Sequence, residues 1–306
     1  MIIQNLKKII LKGTAITFMA VPFFSFAQDE PSLMDLLGED TEINYAAFTF
    51  KSTRVINGHS IENAAKGVMD FRISHRFGRV NSGAAELYGL DVSTIRLGFE
   101  YGVTDRLMVG LGRSSFNKVF DGFAKFKILR QSTGAKKMPI SLSVFSSVAL
   151  ETVAWANPDR ENFFSSRLYY AHQILIARKF SKALSLQLSP TLVHRNLVQT
   201  NAEKNDVLAL GFGGRQKITN RTSFNFEYFY VLPNQIAEGL YDSFSVGFDV
   251  ETGGHVFQLH FTNSTPMIEK GFITETSGNW SKGDVHFGFN ISRVFTVVKA
   301  KKKIEE

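Results

Sequence analysis

Fourteen charged side chains recur at alternate positions of otherwise apolar segments. They are Asp70, Arg72, Arg76, Arg96, Glu100, Asp121, Lys125, Lys127, Arg167, Arg215, Lys217, Glu227, Asp249 and Glu251. Both signs are present. Gathered on the inside of a narrow tube, such charges line a water-filled path or pair across it and close it. The basic set at 72, 76, 96, 125, 127, 167, 215 and 217 then bears on anion preference, because rings of basic side chains select anions. The competing reading is a set of arginine–carboxylate pairs that satisfy buried charge. The sequence leaves both open.

Other chemistry is weakly encoded. His75, His172, His194 and His260 fall within strand-like segments, while His59 and His255 fall near turns. No serine sits in a nucleophile-elbow pattern. His255 and His260 are five residues apart, so on one strand they face opposite sides. Gly211-Phe212-Gly213-Gly214 has no helix after it and lacks the context of a phosphate loop. No catalytic residue, metal ligand or cofactor is therefore named. His172 shares parity with Leu168, Tyr170, Ile174 and Ile176. A histidine on a lipid face is costly, which predicts a bulge or register shift there.

The elements that carry the charges alternate with period two. Met69, Phe71, Ile73 and Phe77 oppose Asp70, Arg72, Ser74 and Arg76. Phe224, Phe226, Tyr228 and Tyr230 oppose Ser223, Asn225 and Glu227. Alternation puts one set on each face of a sheet. A soluble sandwich also alternates, but these segments are long enough to cross a bilayer at a tilt, which takes ~9–11 residues. Expected strands are 67–77, 92–102, 106–115, 118–130, 140–154, 163–180, 184–197, 207–218, 222–232, 242–251, 255–263 and 284–297. Short links alternate with long polar ones, with Phe116–Asn117 the one misfit. Membrane barrels have short periplasmic turns and longer external loops. The fold class expected is all-β: a closed, antiparallel, up-and-down transmembrane β-barrel of about 12 strands, within a range of roughly 10–14. Lipid offers an open sheet edge no partner, so the sheet must close.

The ends read differently. Lys7, Lys8 and Lys12 precede an apolar run, and Ser25-Phe26-Ala27 supplies the small residues of a signal-peptide cut. Cleavage after Ala27 and export to the outer membrane are expected. Residues 28–66 are assigned to a periplasmic or lumen-plugging segment, with a short amphipathic helix over Pro31–Gly38. Residues 67–297 form the barrel and 298–306 a basic tail. Three signal lysines account for part of the formal charge of +7. The tail lysines read as solvated surface, so no nucleic-acid partner is expected. There is no cysteine, hence no disulfide frame and no lipid-modified N-terminus.

Four segments, VINGHSIE (55–62), FRISHRFG (71–78), IRLGFEYGVTDRLMVGLGRS (95–114) and WSKGDVHFGFNISRVF (280–295), resemble a Bacteroidota family of predicted outer-membrane β-barrels of unknown function. The resemblance covers nearly the whole chain after the signal. It implies the barrel and the outer membrane, and it carries no site residues. The last strand, closing on Phe295, looks like a sequence read by the barrel-insertion machinery, although Arg293 departs from that pattern. Outer-membrane lipid and that machinery are the expected partners. The role expected is a narrow or gated diffusion channel for small polar solutes. The alternatives are a non-conducting barrel that presents loops, chiefly 264–283, or its N-terminal segment to a partner, and more remotely a membrane lipid hydrolase.

Overall fold

Runs in which Phe, Leu, Val and Ile alternate with polar residues favour pleated strands, because aromatic and branched side chains fit a half-buried sheet face. A computed structural model describes residues 42–155 and 157–298. The expected signal peptide, the 31–38 helix and the tail beyond 298 lie outside the described residues. Twelve strands form the wall: β1 Val68–Arg79, β2 Ser93–Gly102, β3 Leu107–Ser114, β4 Val119–Leu129, β5 Ser141–Glu151 and β6 Leu168–Lys179. They continue as β7 Leu184–Arg195, β8 Asp206–Lys217, β9 Thr222–Val231, β10 Ser243–Thr252, β11 His255–Thr262 and β12 His286–Thr296. Each pairs antiparallel with its neighbours in sequence, and β12 pairs with β1, from His286 opposite Arg79 to Thr296 opposite Val68. The barrel is closed, so the ladder has no edge strand to leave unsatisfied in lipid.

Side-chain parity follows the sequence alternation. On β1, Asp70, Arg72, Ser74 and Arg76 point inward and are buried. On β9, Ser223, Asn225 and Glu227 do the same. The outer face carries Leu97, Phe99, Leu111, Phe126, Ile174, Leu188, Phe248 and Leu259, all exposed. The turn after β3 is short at the end where long loops belong. Asn117 and Lys118, both with positive φ, close it tightly.

Two expectations are corrected. No bulge marks His172: the β5–β6 and β6–β7 registers run through it without a shift. Its ring stays on the outer face, where Nδ1 lies 3.0 Å from Ser146 Oγ on β5. A polar partner on the neighbouring strand replaces the expected distortion. The second correction concerns 264–283. Its helix, α1 (Glu269–Thr274), is wholly buried, so this link folds into the lumen rather than outward. Before the wall, Ile43–Tyr45 pairs with Ser132–Gly134 in the link after β4. Residues 46–57 run irregularly into the barrel.

Leu188 sits in mid-strand on the outer face, 42% exposed. Leu188→Arg should cost about 2–4 kcal/mol, as expected for arginine near a bilayer midplane. Denaturant titration of the barrel in lipid vesicles measures it, and an unchanged folding free energy would argue against a lipid-facing surface here.

Candidate functional site: the occupied lumen

The interior is filled from both ends by the chain itself. From the short-turn end, Thr49–Ile61 enters the barrel, buried throughout except for half-buried Lys51. Asn-Gly is a strong turn-former, and here Asn57-Gly58 closes a turn in which Val55 N–H donates to Gly58 O at 2.9 Å. The turn aims successive N–H groups one way. Ile56, Asn57 and Gly58 donate to the Glu227 carboxylate at 3.2, 3.1 and 2.9 Å. Glu227 is fully enclosed, and three amide donors offset the desolvation of its charge. The wall also holds the segment's carbonyls. Gln258 donates to Val55 O at 2.6 Å, Asn290 to Ile56 O at 3.1 Å and Gln187 to His59 O at 2.8 Å.

Most charges singled out from the sequence are engaged. Arg96 forks onto Asp121, with Nε–Oδ1 at 3.0 Å and Nη2–Oδ2 at 2.5 Å. The guanidinium lies so close over Gly112 that a β-carbon there would collide with it. Arg72 donates to Ser52 Oγ at 2.6 Å, Thr53 Oγ1 at 2.9 Å and Asp70 at 3.3 Å. Glu100 accepts from Thr53 Oγ1 at 2.5 Å. Lys125 donates to the carbonyls of Ser60 and Glu62 at 2.8 and 2.5 Å. Arg215 donates to Phe48 O at 2.9 Å. Asp249 accepts from Gln258 at 2.7 Å, and Glu251 pairs with Lys51. Lys127 and Lys217 are half-buried near the short-turn end. Arg167 is not brought into this network. It lies before β6, stacked on Trp155 at 3.8 Å and donating to the carbonyls of Glu151 and Val153.

From the long-loop end, α1 brings Phe272 and Ile273 against Val193, Val207 and Phe229. Phe272 and Phe229 ring centroids are 4.9 Å apart. Lys270 reaches Glu275 at 2.5 Å and Glu151 at 3.0 Å, with its ammonium 4.0 Å from the Tyr169 ring centroid. Burial disfavours that ammonium, but Glu275 and Glu151 outweigh it and raise its pKa. Burial also pushes the Glu269 carboxyl up, against the opposing pull of Arg54. Arg54 joins the two inserts: it lies 3.3 Å from Glu269 and 3.5 Å from Glu100. His59 packs between Phe123 and Phe145 at 4.4 and 4.3 Å, and burial, with Arg54 and Lys125 nearby, pushes its imidazole pKa down. Sequence parity missed Arg54, Asn57, Glu269 and Lys270 because they lie outside the alternating strands. Of these only Asn57 falls in a segment singled out from the sequence, VINGHSIE.

Catalytic geometry is sparse. Ser146–His172 is the one Ser–His hydrogen bond among the described residues, and no ion pair joins His172 to a carboxylate there. No cluster of three or more His, Asp or Glu suited to a metal occurs among the described residues.

A closed twelve-stranded ring with an apolar exterior and a charged interior is a transmembrane β-barrel. The chain belongs to the family described as membrane bound beta barrel domain (DUF5777), whose model matches residues 50–295. It is thus an outer-membrane β-barrel protein. No curated protein matches its sequence. Among solved structures it is similar to the NanC porin (TM-score 0.47, 8% identity, 75% of this chain and 100% of that one). The KdgM porin gives 0.45 and 8% over 74% and 99% of the two chains. An outer membrane channel from Pseudomonas putida F1 gives 0.43 and 13% over 76% and 97%.

Glu227→Ala removes the common acceptor of three buried amides, each costing about 1–3 kcal/mol if left unmade. Hydrogen exchange at Ile56–Gly58 should quicken by at least about tenfold, with strand amides across β3–β6 unchanged. Unaltered exchange at 56–58 would show that Glu227 does not anchor the turn.

Proposed function

We propose that the protein is a gated diffusion channel of the outer membrane for small polar solutes, with Thr49–Ile61 and the 264–283 link as its gate. One observation carries this reading. The wall is complete without its contents: every strand pairs with two neighbours around the ring, while the inserts are attached mainly through side chains. A twelve-stranded wall encloses more room than the filled eight-stranded case and less than an open sixteen-stranded porin. Insert–wall hydrogen bonds exchange for bonds to water when the inserts move, so each is worth only about 0.5–1.5 kcal/mol net. The polar inward face would then be wetted rather than exposed dry.

A non-conducting barrel is the second reading. The Arg54–Glu269 pair favours it, because it ties the two inserts into one body. In either case we propose that export removes residues 1–27, cleaving after Ala27. Residues 28–66 then form the N-terminal segment, 67–297 the wall and 298–306 a tail. The insertion machinery is proposed to read the last strand, and a Bacteroidota outer membrane accords with the resembling segments.

In planar bilayers the full chain should show small, intermittent steps. A variant lacking 28–66, and separately Glu227→Ala in the full chain, should raise the open fraction by about tenfold or more, in line with the amide bonds lost. Silence in all three would leave the non-conducting reading.

A further inference from the structure

The interior has two unlike sides. Its buried apolar clusters take their wall residues from β3 to β9, among them Met108, Phe123, Phe145, Leu175, Val193 and Phe229. Against these pack Val55 and Ile61 of the N-terminal insert, and Phe272 of the loop. Among the described residues, β10, β11, β12, β1 and β2 contribute none. Their inward faces carry Ser245, Gln258, Asn290, Arg72, Ser74 and Arg76 instead, all buried. The β3–β9 side also carries buried polar groups, among them Lys125, Gln173, Gln187 and Thr191, but the apolar packing between insert and wall is confined to it.

Two open spaces lie on that polar side, one at each end. The lower, about 350 Å³, is lined by Asp70, Glu251 and Ser292 of the wall and Lys51 of the insert, together with apolar Phe50 and Val294. The upper, about 300 Å³, is lined by Arg76, Thr94, Thr265 and His286, together with apolar Phe77 and Val92. Both touch β1, at Asp70 below and Arg76 above. Residues six apart on a strand are separated by roughly 20 Å. The septum between them is made of polar side chains: Arg72 on Ser52 and Thr53, Arg76 on Asn57 Oδ1, and Asn290 on Ile56 O.

Arg76 stands apart from the other arginines here. Arg54, Arg72 and Arg96 each have a carboxylate within 4.0 Å. Arg76 donates only to the neutral oxygens of His75 and Asn57. The acid across the lumen, Glu227, is occupied by three insert amides.

Building on the channel reading above, we propose that solutes cross along the β10–β12, β1 and β2 side, and that the solute met by Arg76 is a small anion. The apolar side stays packed. The septum opens by exchange of its side-chain bonds for water, and the uncompensated guanidinium draws negative charge into the upper space.

The absence of cysteine allows single-cysteine tests in the full chain. Ser74→Cys lies on β1, and Val193→Cys lies on β7, diametrically opposite in the ring of twelve and within the apolar cluster. Both positions are buried and inward. Each folded variant, in vesicles and in planar bilayers, is treated with anionic 2-sulfonatoethyl methanethiosulfonate. Labelling is read by mass and block is read by conductance. Ser74→Cys should label at least about tenfold faster than Val193→Cys, which sits inside the packed apolar cluster under Phe272. Modification there should also block current. Arg76→Gln should lower the chloride-over-potassium permeability ratio by about threefold or more, as loss of a pore cation does. Equal labelling, or faster labelling at Val193→Cys, overturns the path even if no current is seen. An unchanged ion ratio overturns the anion assignment. Absence of current in every variant defeats the channel reading alone, because labelling still reports on the path.

Discussion

Charge inside a narrow ring must be answered, and the molecule is organised around that requirement. Breaking a buried ion pair by removing one partner costs about 3–5 kcal/mol. The inward faces of β1, β2 and β4 carry Arg72, Arg96, Glu100, Asp121 and Lys125 at close quarters. Only Arg96 and Asp121 satisfy each other fully across strands. The remainder look to the N-terminal segment: Arg72 to Ser52 and Thr53, Glu100 to Thr53, and Lys125 to the carbonyls of Thr53, Ser60 and Glu62, just as Glu227 on β9 takes three insert amides. The insert supplies mostly neutral donors and acceptors, which solvate charge without adding more. Lys51 and Lys270 pair with the wall acids Glu251 and Glu151, and Arg54 and Glu269 join insert to loop.

The wall meets a different constraint. Lipid cannot bond a free N–H or carbonyl, so the ladder closes on itself through β12 and β1. Its outer face needs only apolar bulk. Arginines on that face, at 113, 178 and 293, lie over Phe120, Phe180 and Phe295, their stems packed along the wall and their charges free to reach the interface. Wall and contents are thus separable in structure: one rests on backbone bonds and hydrocarbon contact, the other on side-chain polar contacts. That separation is what makes gating physically available.

Much of the wall was legible in the residues. Period-two alternation located all twelve strands to within a few residues, save that β6 starts at Leu168, later than expected. The same parity gave the inward direction of Asp70, Arg72 and Arg76. The contents were less legible, because inserts are not periodic. The 264–283 link looked like any long polar loop. Its apolar Met267, Ile268, Phe272 and Ile273 are spaced for a short helix, but nothing local says that their partners are Val193 and Phe229 on distant strands. His172 misled for a related reason. Parity placed it correctly on the outer face, yet its answering hydroxyl, Ser146, lies 26 residues away on the neighbouring strand. The glycines at 211, 213 and 214 lie within β8, where a β-carbon built at Gly213 would stand 3.2 Å from Val55 Cγ2 of the insert.

That approach offers the most direct test of an internally occupied barrel. A β-carbon built at Gly213 stands 3.8 Å from that of Val55, in the middle of the range a disulfide spans. With no other cysteine in the chain, Val55→Cys combined with Gly213→Cys should oxidise spontaneously in the folded, membrane-inserted protein. The product would be a cross-link that migrates differently on a non-reducing gel and is absent from either single variant. A folded double variant that stays reduced under mild oxidant would place the N-terminal insert elsewhere, and the account of the lumen would be wrong.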